Sequence, residues 1–115
     1  MPRDVKKICF DILQAVKEIE EFTLDKKFSD YCVNRMLQKA VEREFEIIGE
    51  GLKRLRDNFE DQFLKVADRR KILDFRNILA HGYDSISEEI VWSIIENNLD
   101  ILKREIQDIF DQANE

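Results

Sequence analysis

A chain of 115 residues suits one domain, able to bury roughly two-thirds of the surface its unfolded form would expose. With 3 Gly and 1 Pro against 38% charged and 43% hydrophobic residues, the composition favours long amphipathic helices over a turn-rich sheet protein. The net charge of -6 excludes a protein that coats nucleic acid over its whole surface, because such binding depends on neutralising phosphates with Lys and Arg. Any nucleic-acid contact must therefore be local.

The first predicted helix runs from about Arg3 to Phe22, where Val5, Ile8, Ile12, Val16 and Ile19 recur at three- and four-residue intervals. After the polar break TLDKKFSD, with Ser29 or Asp30 as the expected cap, a second pattern passes through Val33, Leu37, Ala40, Phe45, Ile48, Leu52 and Leu55. It predicts one long central helix of about 25 to 28 residues. Gly49 and Gly51 lie inside it, each costing up to ~1 kcal/mol relative to Ala, so close approach of another helix is expected there.

A short helical piece over Phe59 to Ala67 is expected next, then a fourth helix whose buried face is Ile72, Phe75, Ile78 and Leu79 and whose stop is Gly82. Ser85 and Glu88 have capping-box spacing, and Ser87 is a second candidate cap. The last helix follows through Val91, Ile94, Ile95, Leu102, Ile106 and Ile109 to about Phe110. The expected fold is all-α, with four to five helices. No apolar run is long enough to span a membrane or to serve as a signal-peptide core. Cys9 and Cys32 are too few for a disulfide framework and read as two reduced, buried thiols, so a cytoplasmic location is expected.

Chemistry concentrates in DFRNILAHGYD, Asp74 to Asp84. His81, the single histidine, is the one side chain able to give and take protons near neutrality, although a histidine at a helix C-terminus also interacts favourably with the dipole. Arg76 lies five positions before it, Asn77 adds an amide beside the arginine, and Tyr83 follows two positions later. Cleavage of RNA by a ribose 2'-hydroxyl needs a base, an acid and a cation for the charge growing on phosphate. His81 suits the proton transfers, and the planar fork of Arg76 suits the phosphate. One His, two separated Cys and no tight carboxylate cluster leave no metal site in view, and no cofactor is expected.

This stretch resembles the Arg-x4-His-x-Tyr motif of HepT-like toxins in the HEPN superfamily. VEREFEIIGEGL (Val41 to Leu52) and EEIVWSIIENNL (Glu88 to Leu99) are similar to the same family, so the resemblance covers nearly the whole chain. It implies a HEPN-type helical bundle that forms a homodimer, and an endoribonuclease, while the lack of metal ligands predicts cleavage without a divalent ion. Geometry agrees with the dimer: five residues of α-helix give about 7.5 Å of rise and about 140° of rotation, so Arg76 and His81 of one chain do not share a face. Two copies around a twofold axis could pair each Arg76 with the other His81.

The resemblance further implies a toxin whose partner is a minimal nucleotidyltransferase antitoxin (MntA-like) that transfers AMP to Tyr83. A ring packed at the dimer seam is the other reading of Tyr83. Asn77 and Glu50 are expected to support the site. Arg69, Arg70 and Lys71 are candidates for RNA-backbone contact, or else form a solvated first turn. The stripes Arg35, Lys39, Arg43 and Glu42, Glu46, Glu50 read as exposed helix face, and Trp92 as core or interface rather than a base-stacking platform. The competing function is a non-catalytic helical module that docks on a nucleotidyltransferase.

Overall fold

The computed structural model describes residues 2–81 and 86–113. Among them it forms seven helices and no strand: α1 (Pro2–Thr23), α2 (Phe28–Cys32), α3 (Arg35–Asn58), α4 (Glu60–Phe63), α5 (Arg69–His81), α6 (Glu88–Asn97) and α7 (Leu99–Gln112). The fold is all-α, as the composition and helical periodicity led one to expect. Helix α1 packs on α3 and α7, and α3 carries α5 and α4 along its length. The buried faces of α1, α3, α5, α6 and α7 meet in one core built around Ile12, Ile19, Phe45, Ile48, Leu52, Leu102 and Ile106. No helix is long and apolar enough to cross a membrane among the described residues.

The helix count exceeds four to five because two predicted helices are interrupted by side-chain hydrogen bonds. In the first, Asn34 Oδ1 accepts from Leu37 N at 3.0 Å, so Asn34, rather than Ser29 or Asp30, caps the long helix. Asp30 instead accepts from the Lys27 backbone N–H at 2.8 Å and closes the first turn of α2. The buried amide of Gln38 donates to the carbonyl oxygens of Tyr31 (2.8 Å) and Cys32 (3.2 Å), satisfying acceptors that the break would leave open. Val33, expected on the apolar face, falls in this break and is 85% exposed.

The second interruption is Asn98. Its side chain is buried and donates to Asp68 Oδ2 at 2.8 Å, tying the junction of α6 and α7 to the segment that enters α5. The backbone ladder still passes through, from Asn98 N to Ile94 O and from Leu102 N to Asn98 O. A polar side chain with a tertiary partner distorts the helix without ending the hydrogen-bonded path. Ser87 caps α6 by accepting from Ile90 N at 3.3 Å; Gly82 and Ser85, the expected stop and the alternative cap, lie outside the described residues.

Both helix-interior glycines sit at close approaches. A Cβ on Gly51 would stand 2.5 Å from Ile12 Cγ1, so α1 and α3 could not pack this tightly around any larger residue. Ile78, expected in the core, is 50% exposed, whereas Ile72, Phe75 and Leu79 are buried. Cys9 is buried, and burial pushes its thiol up to about 11. Cys32 is only partly buried, because it ends the short α2. Trp92 is buried against Tyr31.

One buried group makes stability depend on pH. Glu44, on α3, is 7% exposed with Oε1 unpaired among the described residues. Desolvation, then the hydrogen bond and charge of Glu18 on α1, push its carboxyl up to about 7. Folded Glu44 keeps its proton where an unfolded glutamate has lost it, so its contribution is complete below the ordinary glutamate pKa and disappears as pH rises through about 7. Glu18 is shifted down by its hydrogen bonds with Glu44 and Gln14, and so contributes in the opposite sense at the acid end. Glu44→Gln should therefore melt above wild type at pH 8, and its stability should fall less between pH 5 and pH 8. A fall equal to that of wild type in denaturant titrations at the two pH values would remove Glu44 as the cause.

Candidate active site

Helix α5 is fixed to α3 by an aromatic contact. Phe75 meets Phe45 edge to face, with centroids 5.2 Å apart and planes at 83°, a geometry favoured by the ring quadrupoles. One turn further along α3 from Phe45 is Gly49, and the next residue after Phe75 is Arg76. The aliphatic stem of Arg76 lies so close over Gly49 that a Cβ there would overlap Arg76 Cβ and Cγ. The sequence-based expectation of a close helix approach at Gly49 is met, with an arginine stem as the approaching group.

From that seat the guanidinium reaches Glu50, the next residue of α3. Arg76 Nη2 and Glu50 Oε1 form an ion pair, and Nη1 donates to Asn77 Oδ1 at 3.4 Å. The Arg76 side chain is 20% exposed and that of Glu50 51%, so the pair is worth no more than about 1 kcal/mol in stability. Its effect is directional: it holds one edge of the fork and leaves Nη1 beside an exposed amide. Nε is buried and has no partner among the described residues. Glu50 also lines a cleft of about 340 Å³ between α1 and α3, shared with Glu18, Glu44, Arg43 and Arg54.

His81 is the last residue of α5 and is exposed. Because α5 is continuous from Arg69 to His81, the rotation of about 140° between positions five apart applies. Within one chain, Arg76 turns toward α3 while His81 does not share its face. Arg76, Asn77 and Glu50 are thus brought together, and helical rotation puts His81 on a different face of α5.

The basic turn divides in the same way. Arg69 Nη1 donates to Val66 O at 2.9 Å and to Leu64 O at 3.4 Å, and its guanidinium carbon lies 5.8 Å from the Phe63 ring centre. That guanidinium holds the α4–α5 connection. Arg70 and Lys71 are exposed on the first turn of α5 and line an apolar cleft with Ile78 and Ile90. Tyr83 lies outside the described residues. Sequence reasoning missed the partnership of Gly49 with Arg76; the available signal was a helix-interior glycine directly before Glu50.

Comparison with known proteins shows the family. A family model described as ribonuclease HepT-like matches residues 12–109. A relative from Methanocaldococcus jannaschii, named as a candidate RNase, is 33% identical over 105 residues, covering 91% of this chain and 95% of that protein. A second relative from that organism, named in the same way, is 36% identical over 110 residues, with coverages of 95% and 90%. A protein of Thermococcus cleftensis, named as a probable ribonuclease HepT, is 31% identical over 103 residues, 90% of this chain and 93% of its own. No solved structure matches at a significant level. With the family match running from the middle of α1 to the last turns of α7, the chain belongs to the HepT-like ribonuclease family.

Proposed function

We propose that the chain is a metal-independent endoribonuclease that acts as the toxin of a toxin–antitoxin pair, and the observation that carries this reading is the Arg76 fork, held by Glu50 beside Asn77 on the helix that ends in His81. Arg76 binds the scissile phosphate through its free donors and stabilises charge on the phosphoryl oxygens. His81 takes the proton of the 2'-hydroxyl or returns one to the leaving 5'-oxygen. Neither role requires a metal, and the product is a 2',3'-cyclic phosphate with a 5'-hydroxyl.

Because Arg76 and His81 of one chain face apart, the site is completed by a second copy around a twofold axis. Two features favour this homodimer. Ile78, one turn before His81, is half exposed, and Ile90 opposite it is 51% exposed across an apolar cleft of about 560 Å³. Large aliphatic side chains beside a polar catalytic group favour burial against a partner. Arg70 and Lys71 on the rim of that cleft supply local positive charge for the RNA backbone on an otherwise acidic chain, and Arg69 contributes less because its guanidinium holds backbone carbonyls.

The purified protein should cut RNA equally with and without EDTA, leave cyclic phosphate ends by mass spectrometry, and arrest growth on expression, while His81→Ala should do none of these. Complete loss of cutting in EDTA, or toxicity retained by His81→Ala, would overturn the mechanism. Gly49→Ala should lower cleavage at least tenfold, about 1.4 kcal/mol of transition-state stabilisation, by displacing the Arg76 stem. Its helical circular dichroism at 25 °C should persist while its melting temperature falls, since ~1 kcal/mol of helix propensity only partly offsets a methyl set against Arg76 Cβ and Cγ. Full activity in Gly49→Ala would separate Arg76 placement from catalysis.

The proposed restraint on the toxin is a minimal nucleotidyltransferase antitoxin that adenylylates Tyr83, two positions after His81. The added nucleotide would crowd the cleft and set anionic phosphate near Arg76 in competition with RNA. On co-expression with such an enzyme, wild type should gain one or more AMP masses and Tyr83→Phe none. Modification of Tyr83→Phe would remove the residue from the mechanism.

A further inference from the structure

The α5 site makes no use of a cleft of about 530 Å³ between α2 and α6, within the range of roughly 300–1,000 Å³ typical of small-molecule sites. Its apolar wall is aromatic. Trp92 is buried against Tyr31 with centroids 5.5 Å apart, whereas Phe28, 6.3 Å from Trp92, remains 36% exposed. Lys26 and Lys27 directly precede that phenyl ring on the same wall. Both lysines are exposed, and neither forms an ion pair among the described residues.

Helix α6 supplies the facing edge with Glu89 and Glu96, both exposed. The Asn97 amide donates to Ser93 Oγ at 3.2 Å, so its carbonyl oxygen adds another acceptor. One wall thus offers an aromatic face with two cations, and the other offers almost only acceptors. Nucleobases stack on exposed aromatic rings at about 1–3 kcal/mol per base, while lysines take the phosphates. An acceptor edge selects the base that presents adjacent N–H donors. Guanine has N1–H and N2–H side by side, matching the two oxygens of a carboxylate. The single N–H of uracil is flanked by carbonyl oxygens, which carboxylates repel.

We propose that this cleft is a specificity subsite for a guanine nucleotide of single-stranded RNA, with the base on Phe28, the N1–H and N2–H of its Watson–Crick edge on one of the two carboxylates Glu89 and Glu96, and its phosphate on Lys26 and Lys27. The nucleotide's source in RNA rests on the ribonuclease reading. The cleft is within reach of that chemistry, since Glu89 follows His81 by eight positions, at most roughly 29 Å of chain.

Trp92 is the single tryptophan of the chain and lines the cleft, so its fluorescence reports occupancy directly. Titration with 5'-GMP should give a saturable change, and 5'-UMP should bind at least tenfold more weakly. Phe28→Ala should lose the response. Lys26→Ala with Lys27→Ala, both outside the core, should keep the wild-type melting temperature and bind GMP at least tenfold more weakly. Glu89→Gln with Glu96→Gln should abolish the preference for GMP over UMP. No saturable response to GMP, equal binding of UMP, or unchanged binding by the lysine variant would each overturn the subsite. RNA cleavage measured on the same preparations separates the two readings: cutting without a GMP response removes the subsite alone, and a GMP response without cutting removes the nuclease and leaves the subsite.

Discussion

Arg76 can lie across α3 and reach Glu50 only because position 49 carries no side chain. The edge-to-face contact of Phe75 with Phe45 brings α5 onto α3 one helical turn away, and the missing Cβ admits the arginine stem at that separation. The carboxylate of the next residue then fixes the direction of the fork. Each element is weak alone: an exposed ion pair contributes little, and a helix-interior glycine costs up to about 1 kcal/mol. Together they position a guanidinium that keeps a donor edge toward Asn77 instead of collapsing onto the surface.

The same packing separates the two principal polar groups. Seating Arg76 against α3 commits its face of α5 to the core side, and helical rotation then carries His81 away from it. The proposed reaction needs both groups on one phosphate, and the apolar exposure at Ile78, one turn before His81, and at Ile90 gives a second copy something to bury. The separation and the exposed aliphatic residues therefore have one common account in a composite site.

Local charge placement resolves an apparent conflict between an acidic chain and an anionic substrate. Acidic groups gather between α1 and α3, where Glu18, Glu44 and Glu50 share a cleft and burial keeps a proton on Glu44 up to about pH 7. Cations without carboxylate partners among the described residues lie elsewhere, on the first turn of α5 and on the α1–α2 connection. Net charge describes solubility and long-range attraction, whereas short-range binding follows the separation of these patches.

Much of the fold was legible in the sequence, because apolar periodicity reports directly which face of a helix is buried. Val5 through Ile19 on α1 and Leu37 through Leu55 on α3 behave this way, and the RNILAH stretch marked the helix that carries the chemistry. Periodicity could not foresee the breaks at Asn34 and Asn98: both depend on hydrogen bonds that a polar side chain makes with a particular neighbour, and Asn98 finds its partner in Asp68, thirty positions away. Nor could it place Ile78, which has the right spacing for the core yet is half exposed in a cleft with Ile90 and Ile94. The residue types fixed which chemistry was available and the spacing fixed which helix bore it. That Gly49 seats Arg76, that Glu50 holds it, and that Glu44 keeps its proton were decided by tertiary contact, because desolvation and close approach exist only between segments that sequence order does not bring together.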